Sequence, residues 1–432
     1  MAIRTGWLSF GLGLLVAAVA AADEGGEAAS QVAYEDRIAE LERKVDVLAG
    51  ELERERLEDA VPEGELESSF GLGPAASKVY SLGKGLSIGG YGEGYYRALV
   101  GDKGDASNTT DLLRAVLYFG YKFTDRIVFN SEIEIEHTDE IHLEFATLDF
   151  LWQDWANLKA GLMLIPMGFV NQIHEPPFFF GVNRPDVERM IIPSTWRENG
   201  AGLFGSWGEL LHYKLYAVNG MNAAGFSPAG LRNGRQSGGE ALAEHGAVVA
   251  RLDTTPLPGL LLGGSVYAGN SGQDQTIDGA RIPDTFTTLF DLHWQYEWRN
   301  LWLRGLWTMA FLSSADRLTE SLQAIGDLDP DEAIAETMMG GYAEIAYDLW
   351  DCLFESERSL EPFYRFEWFD TQADMPNGFG FARDRSREVW SHTVGVQFEP
   401  IPNIVLKLDY RNRNPEQGEI ADEVNVGFGY VF

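Results

Sequence analysis

The chain has 432 residues, 12 % of them aromatic, with 48 glycines and a formal net charge of −33. That acidity excludes nucleic acid as a partner, and a single cysteine, Cys352, excludes an internal disulfide framework. Beyond Ala22 no run of about 18 apolar residues occurs, so no spanning helix is expected in the remainder.

Residues 1–22 read as a secretory signal peptide. Arg4 supplies a basic start, Trp7 to Val19 an apolar stretch, and Ala20, Ala21 and Ala22 a small-residue exit. Residues 23–57 are an acidic segment followed by a helical pattern. Ile38, Leu41, Val45, Leu48 and Leu52 are spaced 3, 4, 3, 4, the a/d repeat of a coiled coil. The alternative is one amphipathic helix lying on another surface. Residues 58–84 read as a linker, with Pro62, Gly64, Gly71, Gly73 and Pro74 interrupting helix.

From Gly85 to Phe432 the hydrophobic period changes to two. Sixteen strands are expected, at 85–97, 111–123, 126–137, 141–152, 155–165, 200–207, 211–219, 245–254, 258–268, 284–296, 299–312, 337–349, 360–370, 388–399, 403–413 and 422–432. Leu113, Ala115, Leu117, Phe119, Tyr121 and Phe123 make one apolar face; Phe286, Thr288, Phe290, Leu292, Trp294 and Tyr296 make another. Trp152, Trp155, Trp298, Trp302 and Trp350 sit near strand ends, where an interfacial girdle belongs. Connections alternate long and short, apart from a short 138–140 and a long 350–359. A soluble sandwich has no reason for that alternation; a membrane barrel does. The final strand, Val424 to Phe432, alternates apolar and small or polar residues and ends on Phe. It resembles the C-terminal strand of bacterial outer-membrane barrels, which implies recognition by the barrel-insertion machinery. The expected fold is therefore all-β: a sixteen-stranded antiparallel transmembrane β-barrel over 85–432, preceded by a short periplasmic α-helical coiled coil.

The segment Leu164–Gly205 (LIPMGFVNQIHEPPFFFGVNRPDVERMIIPSTWRENGAGLFG), with SIGGYGEGYY at Ser87–Tyr96 and EPFYRFEWFD at Glu361–Asp370, resembles the porin O and P family. This is the phosphate-selective porin superfamily of Gram-negative outer membranes. The resemblance implies a homotrimeric channel in outer-membrane lipid, with the coiled coil joining three chains. That family's selectivity rests on lumen arginines and lysines. Here 66 acidic residues face 33 basic ones, and no arginine ladder of period two occurs within a strand.

Loop 166–199 follows the fifth strand and is too apolar for exposure: Phe178, Phe179, Phe180, Met190, Ile191 and Ile192 need cover. Folded into the barrel it becomes the constriction. Its charged candidates are His174, Glu175, Arg184, Asp186, Glu188, Arg189, Arg197 and Glu198. They set up a field across the pore or pair internally to hold the loop's shape. On strand 126–137, Glu132, Glu134 and Glu136 share one face, which must be the inner one because lipid rejects charge. They form a cation-attracting ladder, or wall charge neutralised by neighbouring strands. Arg114, Lys122, Arg365, Glu367, Lys407, Asp409 and Arg411 are the other pore-lining candidates.

No catalytic spacing is found, so an enzyme is not expected, and no cofactor is implied. His137 and His142 flank a tight turn without an evident third ligand, so no metal is assigned. The function read from the chain is passive diffusion of small polar or ionic solutes, leaning weakly toward cations. The alternatives are a phosphate or anion channel, and a structural tether whose coiled coil holds the cell wall.

Overall fold

The structure, a computed structural model, describes residues 68–432 except 102, 103, 105, 352, 353, 355–357 and 378–382, together with residues 37, 40, 41 and 43–47. The chain divides into two units, 1–59 and 60–432. In the first, the described residues are helical; Lys44 pairs with Glu40 one turn away at 2.6 Å, and Leu41 and Val45 are exposed. The signal peptide, Ile38, Leu48, Leu52 and Cys352 lie outside the described residues.

Sixteen antiparallel strands close the second unit into a barrel. They are β1 (Gly85–Val100), β2 (Thr109–Thr124), β3 (Ile127–Glu136), β4 (Glu140–Gln153), β5 (Ala156–Leu164), β6 (Arg197–Trp207), β7 (Leu211–Asn219), β8 (Gly246–Leu257), β9 (Leu260–Asn270), β12 (Phe286–Trp298), β13 (Leu301–Leu312), β14 (Thr337–Tyr347), β15 (Ser359–Asp374), β16 (Glu388–Ile401), β17 (Ile404–Pro415) and β18 (Asp422–Val431). A separate small hairpin, β10 (Thr276–Ile277) with β11 (Ala280–Arg281), lies in the loop between β9 and β12. Each barrel strand is hydrogen-bonded to its neighbours, and β1 pairs with β18 from Tyr91↔Val431 to Val100↔Asp422. Phe432 and Gly90 exchange backbone hydrogen bonds at 2.8 and 3.0 Å, which ties the chain end into the seam. Among the described residues the sixteen barrel strands leave no free edge, as a spanning sheet requires.

Alternation sets the two surfaces. On β2, Leu117, Tyr121 and Phe123 are exposed outward, while Arg114, Val116 and Tyr118 are buried inside. On β18, Val426, Phe428 and Tyr430 point out and Glu423 and Asn425 point in. Trp152, Trp155, Trp207 and Trp298 are exposed beside the short turns. Trp302, expected in that girdle, instead packs inward on Phe180, with ring centroids 4.7 Å apart. It falls between Leu301 and Leu303 on β13, so its parity is that of the lumen.

One rim carries turns as short as 125–126 and 299–300; the other carries connections 165–196, 220–245, 271–285 and 313–336. These long connections fold into the barrel and build an apolar core there. Ile165, Met167, Val187, Ile191 and Ile192 from the first pack with Met221, Phe226 and Leu231 from the second. Leu318 and Leu322 join them from helix α3 (Ala315–Ile325), and Tyr216, Val249, Tyr267, Leu289 and Met338 from the wall. The first connection also carries a short helix, α2 (Val187–Met190).

The stretch 58–84 is not a plain linker. Helix α1 (Pro74–Ser81) forms within it and packs against β1, β2 and β3 inside the barrel. Pro74, which signals a break after a helix, here occupies its first turn, where a missing N–H costs nothing.

Candidate functional site: the occupied lumen

The inner wall at mid-height is covered from within. Glu132 on β3, Asp291 on β12, Glu344 on β14, Arg365 on β15, Asp409 on β17 and Asn425 on β18 are all at most 3 % exposed. Water lining a wide pore would leave such residues accessible. Loop 166–199 supplies most of the cover. Gly168 N–H donates to Asp291 at 3.2 Å, and Val182 N–H to Asp409 at 2.7 Å. Arg365 donates to the carbonyls of Phe180 and Asn183, and Lys407 to that of Phe179. The loop is thus inside the barrel, where its apolar content required it to be.

The three inner glutamates do face the lumen, but each is engaged. Arg114 on β2 reaches Glu134 at 2.8 Å, Glu136 at 3.3 Å and Glu93 on β1 at 2.8 Å. Glu132 pairs with His174 of the loop at 3.0 Å. Arg114 is shared by Glu93, Glu134 and Glu136, so the carboxylates are paired without being matched one for one. The other inner charges behave alike: Arg365 joins Glu344 and Glu367 at 3.1 and 3.0 Å, and Arg411 joins Asp186 and Glu423. Lys122 caps α1 by donating to the carbonyls of Tyr80 and Leu82.

Loop charges mostly hold the loop. Glu188 accepts from Phe169 and Val170 N–H, both at 2.8 Å, and from the Tyr342 hydroxyl at 2.7 Å. Glu175 accepts from Ala75 N–H at 3.1 Å and Ala76 N–H at 3.4 Å, at the N-terminus of α1. Burial, reinforced by Glu132, pushes the Glu175 carboxyl up to about 8. Arg184 donates to His174 O and lies 3.9 Å from Glu93, and Arg189 is exposed. Arg197 and Glu198 are not loop residues; they begin β6, paired with Leu164 and Met163. Arg197 meets Glu144 at 2.7 Å, a residue turned inward by a bulge that sequence alternation cannot register.

Other residues of the lumen lacked a sequence signal. Arg232 and Arg235, in connection 220–245, both reach Ser194 O and cluster with the loop arginines. Burial first, then mutual repulsion, lowers Arg232 to about 9; burial and Arg197 lower Arg235 to about 10. Among the described residues neither makes an ion pair. Beside the short-turn rim lies a cavity of about 750 Å³. Phe70 and Gly71, Phe178 to Phe180, Trp302 and Arg304 line it, with Glu297, Glu361 and Glu399 on the wall.

His137 turns to Asp111 at 2.5 Å, whereas the ligating atoms of His142, Glu136 and Glu140 lie within 4.8 Å of one another. Glu136 is already held by Arg114. A second trio, His245, Asp274 and Asp284, is bridged in part by the Asn270 amide.

No protein-family model matches the chain. An uncharacterised protein of Aquifex aeolicus (strain VF5) is 37 % identical over 389 residues, which cover 87 % of this chain and 86 % of that one. The chain belongs to that protein's family. Among solved structures, Salmonella typhi OmpF in complex with daunomycin superposes with a TM-score of 0.52 at 14 % identity, over 81 % of this chain and 98 % of that one. A loop-L8 deletion mutant of OmpT, an outer membrane protein of Vibrio cholerae, gives 0.51 at 10 % identity, over 81 % and 100 %. The chain therefore has the fold of these porin barrels.

Proposed function

We propose that the protein is a channel of the outer membrane for passive diffusion of small polar or ionic solutes, with loop 166–199 as its constriction. The single observation that carries this reading is the course of that loop. It crosses the lumen of a closed barrel and docks by main-chain hydrogen bonds to Asp291 on one wall and Asp409 on another. Planar-bilayer recording tests it. Discrete conductance steps are expected from the purified protein, and shortening the loop between Pro176 and Pro193 raises step size several-fold. A correctly assembled shortened barrel with no conductance contradicts the channel.

A weak lean toward cations rests on the acidic excess and on Glu297, Glu361 and Glu399 at the short-turn cavity. A second reading, anion passage of the kind that the porin O and P resemblance implies, is favoured by Arg232 and Arg235. Two crowded cations that make no ion pair among the described residues gain from a passing anion. The reversal potential in a potassium chloride gradient decides the sign. The channel is proposed as a homotrimer joined through Ile38, Leu41, Val45, Leu48 and Leu52, and a crosslink in that segment in native membranes tests it. The tether reading is separated by deleting 34–57: a tether loses envelope attachment, a channel keeps its conductance.

A further inference from the structure

We infer that residues Ser69–Ser81 are a releasable stopper that closes, from the short-turn rim, the part of the lumen left by loop 166–199. The inference rests on the channel reading above. The segment spans the interior from β1 to β6. Helix α1 lies on β1, β2 and β3; the Tyr80 hydroxyl donates to Asp149 on β4 at 2.6 Å, and Phe70 packs edge-on against Phe204 on β6 with centroids 5.1 Å apart. Phe70 and Gly71 form one wall of the cavity whose other wall is Phe178–Phe180 of the loop.

The barrel wall is shaped for this occupant. A Cβ placed on Gly89 comes 2.8 Å from Ala75 O, and one placed on Gly120 comes 2.5 Å from Val79 Cβ. Both glycines face inward, and glycine within a strand weakens it. The sheet gives up side-chain packing at the two places where the helix touches it. Asn130, also inward, donates to Ala76 O at 2.8 Å.

Attachment is nevertheless light. The helix has eight residues, mostly small, and a helix of that length does not persist alone in water. Several of its polar attachments are to main-chain atoms, from Glu175, Asn130 and Lys122. Its apolar anchors are few, chiefly Leu72, Val79 and the Phe70–Tyr80 pair. A segment held in this way leaves as a unit without disturbing the ladder of the barrel.

The test is single-channel recording of full-length protein with Cys352→Ser as background. Val79→Asp places a charge against the wall and expels the helix without altering any strand; Gly120→Leu expels it from the wall side. Both are expected to raise open probability several-fold. The pair Val79→Cys with Gly120→Cys has Cβ atoms about 1 Å closer than a disulfide needs, a gap that a small helix shift supplies. Oxidised, it abolishes openings; reduced, it restores them. A Val79→Cys thiol is shielded from a membrane-impermeant maleimide in the native wall and labelled with Gly120→Leu. If oxidised lock, native protein and Val79→Asp all show the same conductance, the stopper is refuted. A loop-shortened barrel that conducts while Val79→Asp stays at the native level refutes the stopper alone. Silence from every variant, the loop-shortened one included, refutes the channel and the stopper with it.

Discussion

Two bodies fill this barrel, and they are built differently. The long connections bury Val187, Ile191, Ile192, Trp196, Met221 and Leu231 completely, in a core continuous with the wall. Helix α1 buries Ala75, Ala76 and Val79, the first and last of them against two glycines. The first body resembles the interior of a soluble domain turned into a pore; the second resembles a ligand. Apolar area decides the difference: each fully buried Ile or Leu contributes about 1.5–3 kcal/mol, an alanine methyl far less. The loop core is permanent structure, while α1 is held near balance.

The two bodies should differ most in what their cores contribute to stability. Ile192→Ala should cost about 2–5 kcal/mol, read as a lower unfolding temperature of the folded barrel. Val79→Ala should leave that temperature nearly unchanged, because it weakens only a docked segment. Equal shifts from the two would place α1 in the same cooperative unit as the loops.

Acidity should separate the two bodies as well. Glu175 is buried at the helix N-terminus, facing Glu132 on β3 and Lys78 on α1, with His174 beside it. Burial raises its carboxyl from 4.5 to about 8, outweighing the Ala75 and Ala76 N–H groups and Lys78 of the docked segment, which lower it; a docking that dries this carboxyl takes up a proton. Docking is strongest below the ordinary value and weakens as pH rises through about 8. Open probability should therefore rise several-fold from pH 5 to pH 9, and Glu175→Gln should flatten the profile. A channel that opens on acidification instead would contradict the assignment.

A smaller effect is expected from Glu132, Glu134 and Glu136. Replacing all three with Gln leaves Arg114 with Glu93 as its one carboxylate partner among the described residues and removes the carboxylate beside His174. The reversal potential should move toward the anion side, more at low salt than at 1 M, where screening reaches about 3 Å. Because the ladder is already paired, a shift of only a few millivolts is expected. The smallest effect on the barrel should come from Leu41→Asp with Leu48→Asp, which loosens chain association but leaves barrel heat resistance and conductance unchanged. Loss of folded barrel would contradict that expectation.

The barrel was legible in the sequence because period two is a local signal. All sixteen strands fall where alternation puts them, and Leu117, Tyr121 and Phe123 mark the outer face without help from the fold. The inward course of loop 166–199 was legible too, since Phe178–Phe180 and Ile191–Ile192 cannot remain in water. What was not legible depends on long-range placement. Gly71, Gly73 and Pro74 carry a strong breaker signal, yet the short helix that follows is made by a seat some distance along the chain, Gly89, Gly120 and Asn130. Arg232 and Arg235 look like ordinary loop residues until the fold brings them to Ser194. Trp302 reads as a girdle residue until its parity on β13 is known. Glu144 enters the lumen only because a bulge shifts its strand.

Amide hydrogen exchange on the intact barrel, resolved to peptides, tests the contrast most directly. Amides of 163–192 should exchange as slowly as those of the strands. Those of 69–81 exchange many times faster, and faster still at pH 9 than the intrinsic rate alone requires. Protection of 69–81 equal to that of 163–192, or rapid exchange across 163–192, would contradict it.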